Sequence, residues 1–232
     1  MTKTKLYNEN RLLVAQTALY LNQSGLVVNT SGNVSVRIDD HIIITPSAKA
    51  YDALTVDDIC IIDLKGDWVD GELLPSSETP LHLAAYNADA NIKAIVHTHS
   101  VHATAASTLV DTLPAIHYQM ADLGGQIPVA PYATFGSKEL ADSVMSVING
   151  KNAILMKNHG SMTVGENLKK ALSRTITLEW CCEVWLKAQT AGTPSLLSEQ
   201  ELDSVKNKMH KMNEMRSNPQ KYRHKKQCSC LD

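Results

Sequence analysis

The spacing of apolar side chains divides the chain into segments of two different periods. Between residues 6 and 24, Leu12, Leu13, Ala15, Ala18, Leu19 and Leu21 recur at helical intervals, and Gly25 follows as a natural stop. The period then falls to two. Val34, Val36 and Ile38 alternate with Asn33, Ser35 and Arg37, which predicts a strand. After Asp39-Asp40, residues 41–45 predict the second strand of a tight hairpin. Residues 60–64 predict another strand, turning at Lys65-Gly66-Asp67. Short strands this close in sequence favour antiparallel pairing.

Beyond residue 75 strands alternate with helices. Ser76-Ser77-Glu78-Thr79-Pro80 opens a helix, with Ser77 as the predicted N-cap, Glu78 at the positive helix end and Pro80 in the first turn. Residues 92–99 predict a strand and 101–109 an alanine-rich helix. Ser137 begins a helix with Leu140, Val144 and Val147 on one face, ended by Gly150. Residues 152–156 predict a strand, 166 to about 190 a long helix, and Ser198 caps a last helix with Gln200 and Glu201 beside it. Residues after Met215 are polar and basic, including Arg216, Lys221, Arg223, Lys225 and Lys226. The expectation is one α/β domain over 1–215 and a mobile basic tail over 216–232.

Composition narrows the class. Of 232 residues, 44% are hydrophobic and 20% charged, which supports a packed core and excludes a disordered or collagenous chain. With 22 Lys and Arg against 24 Asp and Glu, the net charge of −2 gives no electrostatic reason to expect nucleic acid as a partner. No apolar run reaches the ~18 residues of a membrane helix. Asn8, Glu9, Asn10 and Arg11 break any signal-peptide pattern. The five cysteines, an odd number without staple spacing, read as free thiols of a cytoplasmic protein, and Cys228-Ser229-Cys230 as two tail thiols.

The sharpest chemical feature is His97-Thr98-His99. On a strand, residues two apart share a face, so both imidazoles point one way and can seat a zinc-type metal. Taken alone, the pair is as well read as two core histidines. Lys157-Asn158-His159-Gly160 places a third histidine just beyond a strand, and Glu78 sits at a helix start. Three imidazoles and a displaceable carboxylate make a four-coordinate site that can open a position for substrate. For His41, His82, His102, His117, His210 and His224 an ordinary surface or core role is the simpler reading. A second constellation is small and polar: residues 29–33, 45–48 and 76–77 carry hydroxyls and amides of the kind that hold a phosphate dianion. Each segment alone is ordinary turn chemistry.

Seven short motifs occur in order: SGNVS at 31–35, ITPS at 44–47, SSE at 76–78, HTHS at 97–100, IHY at 116–118, APYATFG at 130–136 and NHG at 158–160. Over residues 6 to about 210 the chain resembles the class II aldolase family of L-fuculose-1-phosphate aldolases and L-ribulose-5-phosphate 4-epimerases. The block from Ile116 to Gly136, and Glu78 where the epimerases carry Asp, resemble the aldolase branch. The resemblance implies a single domain with a central, largely antiparallel sheet flanked by helices on both faces. It also implies a homotetramer with active sites between subunits. It assigns His97, His99, His159 and Glu78 to Zn²⁺, with Glu78 also as catalytic base. Gly32, Asn33, Ser47, the backbone at Ala48, Ser76 and Ser77 are assigned to phosphate, and Tyr118 of a neighbouring subunit to proton donation. The implied reaction is cleavage of a ketose 1-phosphate to dihydroxyacetone phosphate and an aldehyde, through a zinc-stabilised enediolate.

Two positions depart from the family pattern. Ala48 stands where Gly is common, and Met212 stands where the aldolases carry a C-terminal tyrosine; the nearest tyrosine here is Tyr222. A pentulose-phosphate 4-epimerase, a methylthioribulose-phosphate dehydratase or a deoxypentulose-phosphate aldolase would need a similar metal set. A non-catalytic, adducin-like interaction module shares the fold and is the rival of another class.

Overall fold

The computed structural model describes residues 3–222. The element order is α1 (Lys3–Gln23), β1 (Asn33–Ile38), β2 (His41–Ile44), one 3₁₀ turn (Tyr51–Ala53), β3 (Cys60–Asp63), β4 (Trp68–Asp70), α2 (Thr79–Ala88) and β5 (Ala94–Thr98). Then follow α3 (Val101–Leu109), β6 (Thr112–Leu113), α4 (Met120–Leu123), β7 (Ile127–Ala130), α5 (Lys138–Met145), β8 (Ala153–Met156), β9 (Gly160–Gly165), α6 (Leu168–Ala191), α7 (Glu199–Ser217) and α8 (Pro219–Tyr222). The strands form one sheet in the order β4-β3-β2-β1-β5-β9-β8-β7-β6. Every pairing is antiparallel except β7 with β8.

Strand alternation sorts the core onto two faces. Val34, Val36, Ile43, Ile61, Ala94 and Val96 pack against Val14, Ala18 and Leu21 of α1 and Ala171 of α6. The intervening Ile42, Ile44, Ile62 and Ile95 turn to the other face, against Leu81 and Ala85 of α2 and Leu140 and Val144 of α5. Farther along, Leu155 and Val129 meet α3 and the Leu178, Cys181, Cys182 and Trp185 stripe of α6. Helices therefore cover both faces. At ~1.5–3 kcal/mol for each fully buried large aliphatic side chain, these two layers provide the main drive to fold.

Ser137 caps α5 by accepting from Leu140 N–H, and Ser198 forms a capping box with Glu201 on α7. The predicted cap of α2 is not observed. Glu78, not Ser77, occupies the N-cap position and makes no side-chain cap; the Ser76 hydroxyl instead accepts from Glu78 N–H at 3.2 Å. The Glu78 carboxylate turns inward to histidines, where charge partners outbid the helix end. The last predicted helix runs on to Ser217, two residues past the expected domain limit. Cys228, Cys230 and the side chain of Tyr222 lie outside what is described.

Candidate active site and metal centre

The site forms where β1, β5, the β8–β9 turn and the start of α2 meet. Register places Asn33 of β1 directly opposite His97 of β5, and Thr98 opposite Ser161 of β9. His159 sits in the turn after β8, which Asn158 makes with a left-handed φ of 54°, a conformation Asn tolerates better than most residues. Gly160 lets β9 come close: a Cβ there would collide with the Thr98 carbonyl and stand 3.0 Å from the His99 ring.

Glu78, His97, His99 and His159 converge. One ligating atom from each lies within 4.8 Å of all the others. His97 Nε2 is 2.8 Å from Glu78 Oε2 and 2.9 Å from His99 Nε2, while His159 Nε2 is 3.2 Å from Glu78 Oε1. The three rings meet edge to face, with centroids 4.8–5.0 Å apart. His97 Nδ1 donates to the Ser161 carbonyl at 2.8 Å, so in the neutral ring Nε2 presents its lone pair. That lone pair faces another imidazole nitrogen and a carboxylate oxygen. Acceptors converging at such distances repel unless a cation lies among them. A three-nitrogen, one-oxygen set is what a borderline divalent metal prefers. The residues fit a metal.

The carboxylate and the imidazoles also act on one another's charge. Burial opposes the Glu78 charge, but the His97 and His159 imidazoles override it and hold the carboxyl well below the usual range. Burial also opposes protonation of His97, yet Glu78 and the Ser161 carbonyl raise its pKa. Burial and then the neighbouring imidazoles push His99 down to about 3, so its ring is neutral, the form that can bind a metal.

The cluster opens onto a cavity of about 250 Å³. Gly32, Asn33, Ser47, Ala48, Ser76 and Ser77 line it together with Glu78, His99 and His159, and so do Thr30, Ser31 and Phe135. Two loops bring these residues side by side. Ser47 N–H donates to the Leu74 carbonyl at 2.8 Å, Ser76 N–H donates to the Thr45 carbonyl at 3.1 Å, and Pro46 bridges to Pro75. Ala48 adopts φ 56°, a left-handed conformation that costs a non-glycine residue about 1–2 kcal/mol. Gly32, at φ 80°, passes so near β5 that a Cβ would stand 2.8 Å from the His97 carbonyl.

Asn33, at the cavity wall, also reaches the carboxylate of the cluster. Its side chain is buried and engaged: Nδ2 donates to Glu78 Oε2 at 2.9 Å, and Oδ1 lies 2.5 Å from His82 Nε2. His82 itself is a fully buried member of a polar chain, and burial pushes its pKa down to about 3. Leaving such a ring unpartnered would cost about 1–3 kcal/mol. Glu179 is the other unforeseen residue. From α6 its carboxylate accepts from the N–H groups of His102 and Ala103 and from His102 Nδ1, at 2.8–2.9 Å, which anchors the first turn of α3 just after His99. Tyr118 is half-exposed and does not line the metal cavity. It lines a separate groove with Gln119, Met209, Met212 and Arg216.

Residues 13–186 match the family described as Class II Aldolase and Adducin N-terminal domain. The L-fuculose phosphate aldolase of Escherichia coli strain K12 is 40% identical over 194 residues, covering 83% of this chain and 90% of the relative. The 5-methylthioribulose-1-phosphate/5-deoxyribulose-1-phosphate aldolase of Escherichia coli O45:K1 is 41% identical over 175 residues, covering 75% and 82%. A solved L-fuculose 1-phosphate aldolase superposes with a TM-score of 0.85 at 33% identity, covering 87% of this chain and 96% of that one. The chain belongs to the class II aldolase and adducin N-terminal domain family. Within it, the protein is a class II aldolase and hence a lyase, which sets the non-catalytic reading aside. Class II aldolases use a divalent metal, and the glutamate–histidine cluster fits one.

Proposed function

We propose that the protein reversibly cleaves a ketose 1-phosphate, L-fuculose 1-phosphate or a close analogue, into dihydroxyacetone phosphate and an aldehyde such as L-lactaldehyde, with zinc in the histidine–glutamate cluster. One observation carries this reading: a single cavity joins that cluster to a rim of hydroxyls and loop backbone suited to a phosphate dianion. The 40% identical relative is named for L-fuculose phosphate. The 41% identical relative, named for 5-methylthioribulose and 5-deoxyribulose 1-phosphates, favours a second substrate of the same class, a 5-substituted ribulose 1-phosphate.

His97, His99 and His159 hold the metal. When bound, zinc supplies positive charge against the negative charge that builds on the donor's oxygens as the carbon–carbon bond breaks. Gly32, Ser47, Ala48, Ser76 and Ser77 fix the phosphate, and so present one face of the donor to the aldehyde. Glu78, ionised and adjacent, takes the C3 proton in the condensation direction. The Tyr118 hydroxyl of a neighbouring copy gives a proton to the forming C4 alcohol. Two features support a homotetramer with shared sites: Tyr118 is outside its own chain's metal cavity, and Tyr132 and Phe135, from the loop that borders it, are each 66% exposed. Cys60, Cys181 and Cys182, free and buried, support a reducing, cytoplasmic setting.

The test is release of dihydroxyacetone phosphate from L-fuculose 1-phosphate, and separately from 5-deoxyribulose 1-phosphate, with and without a chelator. Chelator-sensitive release from one of them is expected. Failure of zinc-loaded protein on both would overturn the reading.

A further inference from the structure

Resting on the aldolase reading, we infer that His82 is a positioning residue: through Asn33 it fixes which oxygen of Glu78 is anchored and which is left free for the proton. The geometry begins with a match of periods. Glu78, His82 and Tyr86 recur every four residues on one face of α2, a step of ~6 Å along a helix. Asn33 and Ser35 recur every two residues on one face of β1, a step of ~6.7 Å. The two ladders interleave. Glu78 Oε2 meets Asn33 Nδ2 at 2.9 Å, Asn33 Oδ1 meets His82 Nε2 at 2.5 Å, His82 Nδ1 meets Ser35 Oγ at 2.6 Å, and Ser35 Oγ meets Tyr86 OH at 2.7 Å. All five side chains are buried.

The chain has one consistent polarity. A carboxylate only accepts, so Asn33 must turn its NH₂ to Glu78 and its carbonyl oxygen to His82. His82 Nε2 must then carry the ring proton, and Nδ1 must accept from the Ser35 hydroxyl. Ser35 in turn accepts from Tyr86. Every donor points toward Glu78. The reverse polarity would set the Asn33 carbonyl against the carboxylate. The anchor falls on Oε2; Oε1 faces His159 Nε2 at 3.2 Å and is left without a well-aligned hydrogen bond. Oε1 is therefore the oxygen that takes the proton from C3, while Asn33 keeps Oε2 in place.

The test uses the cobalt-substituted full-length protein, read by its visible absorption band and by solvent-deuterium exchange at C3 of dihydroxyacetone phosphate. Glu78→Gln supplies the reference spectrum for a disturbed fourth ligand. His82→Leu, which removes both ring nitrogens, is expected to move the band toward that reference. It should also lower the exchange kcat about 10- to 100-fold with KM changed less than about threefold. His82→Gln, which keeps a donor facing Asn33, should recover most of the loss, a rescue that a purely structural role would not show. Ser35→Ala frees the ring to take its other tautomer. It should cost about three- to tenfold in kcat, and it stands in where His82→Leu does not fold. An unchanged band and an exchange kcat within about twofold of the parent, in folded His82→Leu or Ser35→Ala protein, overturn this proposal alone. A parent protein that takes up no cobalt overturns the metal site and this proposal together.

Discussion

Two concavities of this protein differ in a way their size does not reveal. The groove beside Tyr118 is about 520 Å³ and the cavity at the histidines about 250 Å³. The larger is bordered by long polar side chains of α6 and α7, such as Lys170, Lys208 and Arg216, with Tyr118 and Met212 on its wall. The smaller is bordered by residues whose freedom is already reduced: two imidazoles, a charged carboxylate backed by His97, and two loops zipped by backbone hydrogen bonds. Preorganised polar groups in a water-poor site stabilise developing charge far better than mobile ones. The proposed chemistry therefore belongs to the smaller cavity, and the proposed assembly would set the larger against a neighbouring copy.

Breaking the small cavity should have the largest effect. His97→Ala or His159→Ala is expected to lose metal and turnover together, with activity down more than about 10³-fold. Metal analysis beside a cleavage assay checks this, and a zinc-replete, active His159→Ala protein would contradict the ligand set. Glu78→Gln should retain metal on three imidazoles yet slow C3 proton exchange about 10²- to 10⁴-fold. Exchange at the parental rate would remove Glu78 as the base.

Altering the larger groove should separate the steps. Tyr118→Phe is expected to slow cleavage about 10²-fold while leaving metal content and C3 exchange near parental values. Equal loss of both steps would assign Tyr118 to the fold instead. The smallest effect is expected at the rim. Ala48→Gly removes left-handed strain of about 1–2 kcal/mol but returns about 0.5–1 kcal/mol to the unfolded chain's entropy. The net gain of about 0.5–1 kcal/mol would raise the melting temperature by ~1–4 °C. A lower melting temperature would show that the methyl group packs usefully.

Local periodicity made α1, the β1–β2 hairpin, α3, α6 and α7 readable in the sequence, because each announces itself within one window and most carry a cap or stop residue. The strands β4, β6 and β7 did not, since two to four residues give no period to detect. β9 was hidden behind the His159 turn. The metal set was legible because His-x-His and Asn-His-Gly are dense local signals. The link between Asn33 and His82 was not legible, for the opposite reason. Their meaning lies in β1 facing α2, a long-range fact, although Glu78-x₃-His82-x₃-Tyr86 beside Asn33-x-Ser35 was a visible hint. Glu179 carried no signal at all, being one acid on a long amphipathic helix.

The register of β1 against β5 has a consequence for how the protein is made. Sliding β1 by one residue would set Val34 opposite His97, turn Asn33 and Ser35 into the apolar layer beneath α1, and leave Glu78 unanchored. The four converging side chains come from three segments, at 78, 97–99 and 159, so a growing chain holds them all only once residue 159 has been made. A metal held by the full set would require β1, β5 and the β8–β9 turn to be in register. An ion bound there would stabilise only the copies whose strands are correctly registered, as any ligand of the native state alone does.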